Sequence, residues 1–150
     1  MQKLNLPAYA YRLKKADGKV WIFDGIRKKY VVLTPEEWVR QHLINYLLNH
    51  RNYPKGLITV ETGLTYNSLQ KRTDMVVFDR QGNTWMVVEC KAADHPITYD
   101  TALQVAVYNA ALKARYILIT NGVNQYCFAI NFSEGRVVHL ESIPEYPTGE

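Results

Sequence analysis

Apolar and polar residues follow one another in short blocks along the chain, and their spacing predicts strands before, between and after two helices. Tyr9 to Lys15 and Lys19 to Phe23 flank Ala16-Asp17-Gly18, a hairpin signal with glycine in the turn, and Tyr30 to Leu33 adds another short strand. Thr34-Pro35-Glu36-Glu37 then starts a helix, with a Thr cap, Pro at the first helical position and Glu37 three residues after the cap. Trp38, Val39, His42, Leu43, Tyr46 and Leu47 keep helical spacing until Asn49 to Gly56 breaks it. Leu57 to Leu64 reads as a strand, and Arg72 to Phe78 and Thr84 to Lys91 as a hairpin turning through Asp79 to Asn83. Ile97 to Ala114 is a second helix with Leu103, Val107, Ala110 and Ala111 on one side. Arg115 to Thr120 is a β-rich run, Gln125 to Phe132 and Arg136 to Glu141 form a last hairpin, and the proline-containing tail from Pro144 is expected to fray.

These elements predict an α/β fold with a central mixed sheet, two main helices and a peripheral N-terminal β-hairpin. The chain has 150 residues, 47% of them hydrophobic, which suits one domain. Its core spans about 34–132 and the hairpin about 8–33. Eighteen Lys and Arg against 14 Asp and Glu give a net charge of +4, which permits a polyanionic partner without demanding one. Cys90 and Cys127 sit inside apolar runs, and no leader or apolar stretch of membrane-spanning length is seen, so a cytoplasmic chain with reduced thiols and no membrane partner is expected.

The hairpin from Arg72 to Asp94 carries acid where buried strands should have none. A regular pairing centred between Gln81 and Gly82 puts Asp74 opposite Glu89, and Lys91 shares the face of Glu89 because strand side chains alternate. Val76, Phe78, Trp85 and Val87 on that face are apolar, as are Met75, Val77, Met86, Val88 and Cys90 on the other, so both strands are expected to be covered on both sides. Two carboxylates about 5 Å apart repel by roughly 3 kcal/mol at an effective dielectric near 20. Lys91 could pair with one acid, one acid could hold a proton, or a divalent cation could fill the gap. If the acids are kept for a cation, neutralising Asp74 should relieve repulsion; if either is paired with Lys91, removing Asp74 should destabilise. A hard cation beside a lysine suits phosphodiester hydrolysis.

Asp74 followed by Glu89-Cys90-Lys91 resembles the signature of the PD-(D/E)xK nuclease superfamily, whose core order of helix, three strands, helix and strand is the one read from Pro35 to Thr120. More closely, "LTPEEWVRQHLINYLL", "RTDMVVFD", "VVECKA", "LQVAVYN" and "YILITNG" resemble the N-terminal nuclease domain of type I restriction enzyme R subunits in a short stand-alone form, over about residues 20 to 132. The resemblance implies a restriction-endonuclease-like core and Mg²⁺- or Mn²⁺-dependent endonuclease action on DNA. It implies Asp74, Glu89 and the backbone carbonyl of Cys90 as metal ligands, Lys91 at the nucleophile, and an acid from the first helix, Glu37 or Glu36. It also implies Gln104 and Tyr108, four apart on the second helix, as supports for substrate or lysine. Thr73 stands where the superfamily name has Pro. The motor domain of the full restriction subunit is missing from this chain, so a role in restriction does not follow. A homo-oligomer and a larger restriction or repair complex are both left open.

Each assignment has a plainer counterpart. Glu37 could serve only as the capping-box acid, and Glu61 could face solvent at a strand edge. Arg40 could orient a helix-one acid, contact DNA or line a solvated face; Lys71 and Arg72 are further candidates for DNA contact. Lys14, Lys15, Lys19, Arg27, Lys28 and Lys29 could touch phosphates, although charges on an exposed hairpin also guard its edge. The four histidines lack ligand spacing. The alternative function is a non-cleaving nucleic-acid-binding or assembly module that keeps the fold.

Overall fold

Asp17 and Gly18 adopt φ of 54° and 72°, the left-handed pair that lets a two-residue turn follow the twist of its strands. The turn joins β1 (Leu13–Ala16) to β2 (Lys19–Asp24), and β3 (Lys29–Val32) completes a three-stranded antiparallel sheet in the order β1-β2-β3. This computed structural model describes residues 1–60, 65–66, 71–72, 74–110 and 113–148, with the side chains of 65–66 and 71–72 left out.

Thr34 then caps α1 (Pro35–His50), its hydroxyl accepting the Glu37 N–H at 3.0 Å, and proline occupies the first turn as the pattern predicts. After α1 come β4 (Ile58–Val60), β5 (Thr65–Tyr66), β6 (Lys71–Arg72), β7 (Met75–Phe78) and β8 (Thr84–Cys90). The helix α2 (Tyr99–Asn109) follows, and then β9 (Tyr116–Thr120), β10 (Gln125–Asn131) and β11 (Arg136–Leu140). A six-stranded sheet has the order β11-β10-β9-β8-β7-β4, and β5 and β6 pair with each other. β8 and β9 run parallel and their neighbours antiparallel, so the sheet is mixed, with α2 as the crossover between the parallel strands. The expected strand Leu57–Leu64 is described only as far as Val60. Among the described residues no helix is long and apolar enough to cross a membrane.

The two faces of the sheet carry separate cores. Trp38, Val39, Leu43 and Leu47 of α1 pack over Met75, Val77, Met86, Val88 and Leu118. Ala102 and Ala106 of α2 pack over Ile117, Ile119 and Phe128. On β7 and β8 both alternating sets are buried, Val76 and Val87 on one face and Met75, Val77, Met86 and Val88 on the other, as expected for central strands.

Three details depart from the sequence pattern. Val107 is 57% exposed; α2 turns its small residues inward, and its ends lie at a Thr98–Thr101 capping box and near Asn109, inside the expected Ile97–Ala114 span. Trp85 is the extra residue of a β-bulge, because Val77 pairs with Met86 but Phe78 pairs with Thr84. The Asp79 carboxylate drives the tighter loop by accepting the N–H groups of Gln81 and Asn83 at 2.9 and 2.8 Å. Trp85 consequently joins the α1 core against Tyr53, Tyr116 and Tyr146, not the face of Asp74 and Glu89. Finally, the tail does not fray at Pro144: Tyr146 is 1% exposed, its hydroxyl donates to the Phe78 carbonyl and its N–H to that of Arg51.

Candidate active site

Asp74 lies one residue before β7, and its N–H donates to the Val88 carbonyl at 3.1 Å. The register of Met75 with Val88 carries on to this pair of ends, so Asp74 stands across from Glu89, as the hairpin pattern predicts. On the other side of β8, Glu89 and Cys90 pair in parallel with Ile119 and Thr120, and the Lys91 N–H donates to the Thr120 carbonyl at 2.8 Å. Four strands thus fix the backbone that holds Asp74, Glu89 and Lys91: β7, β8, β9 and, through β7, β4.

The two carboxylates have different partners. Asp74 Oδ1 accepts from Arg40 Nη2 at 2.7 Å, and Oδ2 accepts the Cys90 N–H at 2.7 Å. Among the described residues Glu89 has only Lys91, whose Nζ lies 3.8 Å from Oε2, and both side chains are partly exposed. Burial raises the Glu89 carboxyl above its ordinary value and the charge of Asp74 adds to that, while Lys91 opposes both. Next to this pair is a cavity of about 130 Å³, bounded by Glu89, Lys91, His95 and Ile97 and by Thr101 and Val105 of α2.

Arg40 belongs to a buried chain of alternating charges running back to the N-terminal sheet. Its Nη1 donates to Glu37 Oε1, and Glu37 Oε2 accepts from Arg27 Nη2 at 3.0 Å and Gln41 Nε2 at 2.8 Å. Arg27 Nε and Gln41 Nε2 donate in turn to Asp24 Oδ2 at 2.6 and 3.0 Å. Burial alone would raise the Asp24 carboxyl, but the hydrogen bonds and charge of Arg27, with Gln41, hold it below its ordinary value. For Arg40, burial is outweighed by Glu37 and Asp74, which push the guanidinium pKa up. The order Asp24, Arg27, Glu37, Arg40, Asp74 links β2, α1 and β7 into one polar seam.

This seam decides several sequence expectations. Arg40 is 6% exposed and donates to Glu37 and Asp74, so it orients these acids and does not line a solvated face. Glu37 does half of what a capping box requires: Thr34 accepts its N–H, but its carboxylate turns to Arg27, Arg40 and Gln41. Glu36 is exposed, and its charge adds to the negative field on Glu89. Arg27 leaves the exposed basic group, its guanidinium being shared between Asp24 and Glu37. Cys90 buries its thiol in the α1 core, which leaves its backbone as the part available to a site. Gln104 and Tyr108 are exposed on α2 and are not among the residues bounding the Glu89–Lys91 cavity. Glu61, Thr73 and the side chains of Lys71 and Arg72 lie outside the described residues.

Asp24, Arg27 and Gln41 are absent from the sequence-based site. A signal for them exists: Asp24 ends the apolar run Val20–Phe23 on a residue that must be paired if buried, and Arg27 follows three positions later in a turn. Among the described residues, no three His, Cys, Asp or Glu side chains gather into a group able to hold a metal ion. The hard oxygens at hand are those of Asp74 and Glu89, with the Cys90 backbone between Glu89 and Lys91.

A family model described as type I restriction enzyme R protein N terminus matches residues 35–144. A comparison with curated proteins returns no match.

Proposed function

The chain belongs to the type I restriction enzyme R protein N-terminal family, and we propose that it hydrolyses phosphodiester bonds in DNA at Asp74, Glu89 and Lys91 with the aid of Mg²⁺ or Mn²⁺. The observation that carries this reading is the opposition of Asp74 and Glu89 at the ends of two buried strands, with Lys91 two residues beyond Glu89. A structural ion pair would close on itself. Here Asp74 is taken up by Arg40 while Glu89 stays in a weak, partly exposed contact with Lys91 beside a cavity.

The donor set fits a small hard cation that keeps several waters and needs only one or two protein carboxylates. Asp74, Glu89 and the Cys90 carbonyl would hold it. When bound, the cation supplies Lewis acidity toward the phosphate and a lowered pKa for water. Arg40 and the Cys90 N–H fix the orientation of Asp74. Lys91, with its side chain partly exposed, would hold the attacking water or the scissile phosphate, and Gln104 and Tyr108 would meet the substrate from the exposed surface of α2. A cytoplasmic setting and a larger DNA-processing complex belong to the same proposal.

A second reading, a nucleic-acid-binding or assembly module that does not cleave, is favoured by one observation: Arg40 and the Cys90 N–H already satisfy both oxygens of Asp74. Incubation with supercoiled, linear and single-stranded DNA in Mg²⁺, Mn²⁺ or EDTA separates the two. Metal-dependent nicking or degradation supports hydrolysis, and intact DNA in every arm supports the non-cleaving module.

A further inference from the structure

We propose that the aromatic face of the N-terminal sheet binds an unpaired nucleic-acid strand, stacking bases on Trp21, Phe23 and Tyr30 and holding phosphates with Arg12, Lys14 and Lys19. The proposal deepens the reading above by assigning a strand type and a surface, and its test reads binding without cleavage.

Three observations carry it. First, antiparallel partners share a face, so the pairing of Trp21 with Lys14 and of Phe23 with Tyr30, with alternation along β2, puts Lys14, Lys19, Trp21, Phe23 and Tyr30 on one side of the sheet. The opposite side anchors the sheet, through Ile22 in the α1 core and Asp24 in the polar seam. Trp21, Phe23 and Tyr30 are half-buried and, among the described residues, belong to neither large core; the Trp21 indole N–H donates to the Ala16 carbonyl at 3.0 Å, which holds that ring in place on this side.

Second, cations are interleaved with the rings. The Arg12 guanidinium lies 4.0 Å from the Phe23 centroid, the Lys14 ammonium 4.5 Å from that of Tyr30, and the two rings meet edge to face at 5.3 Å. Arg12–Val32 holds seven Lys and Arg against two Asp, a net +5 where the whole chain carries +4. Asp24 is consumed internally by Arg27, and among the described residues Lys14, Lys15, Lys19, Lys28 and Lys29 enter no ion pair. Edge protection accounts for exposed lysines. It does not account for three aromatic rings set among them, whereas a stacking platform lined with cations is how single strands are gripped without sequence readout.

Third, Phe23 and Arg12 also border a cavity of about 160 Å³ bounded by Tyr11, Lys55 and, from α1, Gln41 and Asn45, so a cation and a ring of this surface line an opening beside it. Behind the sheet, the polar seam leads on to the candidate active site, since Arg27 in the turn after β2 donates to Glu37 and Arg40 donates to Glu37 in turn.

The test uses the full chain in EDTA with fluorescent oligo(dT), oligo(rU) and a DNA duplex of equal length, read by anisotropy and by tryptophan emission. Trp38 and Trp85 are 7% and 5% exposed, so quenching reports on Trp21. At least one single strand is expected to bind about tenfold or more tighter than duplex and to quench emission. Tyr30→Ala should weaken it about tenfold, and Lys14→Ala with Lys19→Ala should lower the salt slope by about 1.4. Trp21→Phe should bind with the quench lost. Circular dichroism of each variant separates lost contacts from lost fold. Equal or tighter duplex binding, single-strand binding that the folded Tyr30→Ala variant leaves unchanged, or no binding by either form, would overturn the proposal. None of these outcomes depends on whether Asp74, Glu89 and Lys91 cleave DNA.

Discussion

Arg40 on the first helix donates to Asp74 across 2.7 Å, and this bond reverses the consequence that repulsion between Asp74 and Glu89 would have by itself. Opposed carboxylates suggest that neutralising Asp74 relieves strain. With Arg40 buried and aimed at Asp74, the Asp74→Asn variant instead leaves a buried guanidinium short of one charged partner, though Glu37 remains. We expect it to be less stable than wild type by about 2 kcal/mol in EDTA, measured by urea unfolding. Stability equal to or above wild type would mean that the Arg40–Asp74 pair contributes nothing net.

Asp24 provides the pH-dependent counterpart. Its carboxyl is held below the ordinary value, so its stabilising contribution is present in full above the unfolded-state pKa and is lost as pH falls through the lower folded-state value. Asp24→Asn should cost about 3 kcal/mol at neutral pH. The gap between variant and wild type should begin to narrow below about pH 4, where the unfolded carboxylate takes up its proton, and should close as the folded carboxylate titrates at its lower value. A gap that stays constant from neutral to acid pH would show that the charge of Asp24 is not what the seam requires.

Tyr146 tests the packed tail. It lies against Tyr53 and Trp85 with ring centroids 5.4 and 4.8 Å away, and its hydroxyl binds the Phe78 carbonyl next to the bulge. Tyr146→Ala should lower stability by about 3 kcal/mol or more, as for other buried aromatics. An unfolding midpoint within experimental error of wild type would return the tail to the frayed state that its prolines suggest.

The legible parts of the molecule are those set by local rules. The Thr34-Pro35 start of α1, the Asp17-Gly18 turn and the register that opposes Asp74 to Glu89 all follow from capping, turn chemistry and alternation. The rest depends on choices made at a distance. Trp85 changes face because one carboxylate, Asp79, tightens a loop and leaves an extra residue in β8. α2 presents Ala102 and Ala106, not Val107, because the helix lies close against Ile117, Ile119 and Phe128, where small residues fit. Arg40 and Arg27 read as surface cations until α1 and β2 come together and supply the acids that bury them.

The division of labour at the site is tested most directly by Lys91→Ala, because an ammonium can act on the nucleophile or phosphate but contributes no ligand to a cation. Cleavage of DNA in Mn²⁺ and calorimetric titration with Mn²⁺ are measured on the same wild-type and variant preparations. The account predicts that the variant loses cleavage by about 100-fold or more while its Mn²⁺ affinity stays close to that of wild type. Cleavage undiminished in Lys91→Ala, or no Mn²⁺ binding by the wild-type chain, would contradict it.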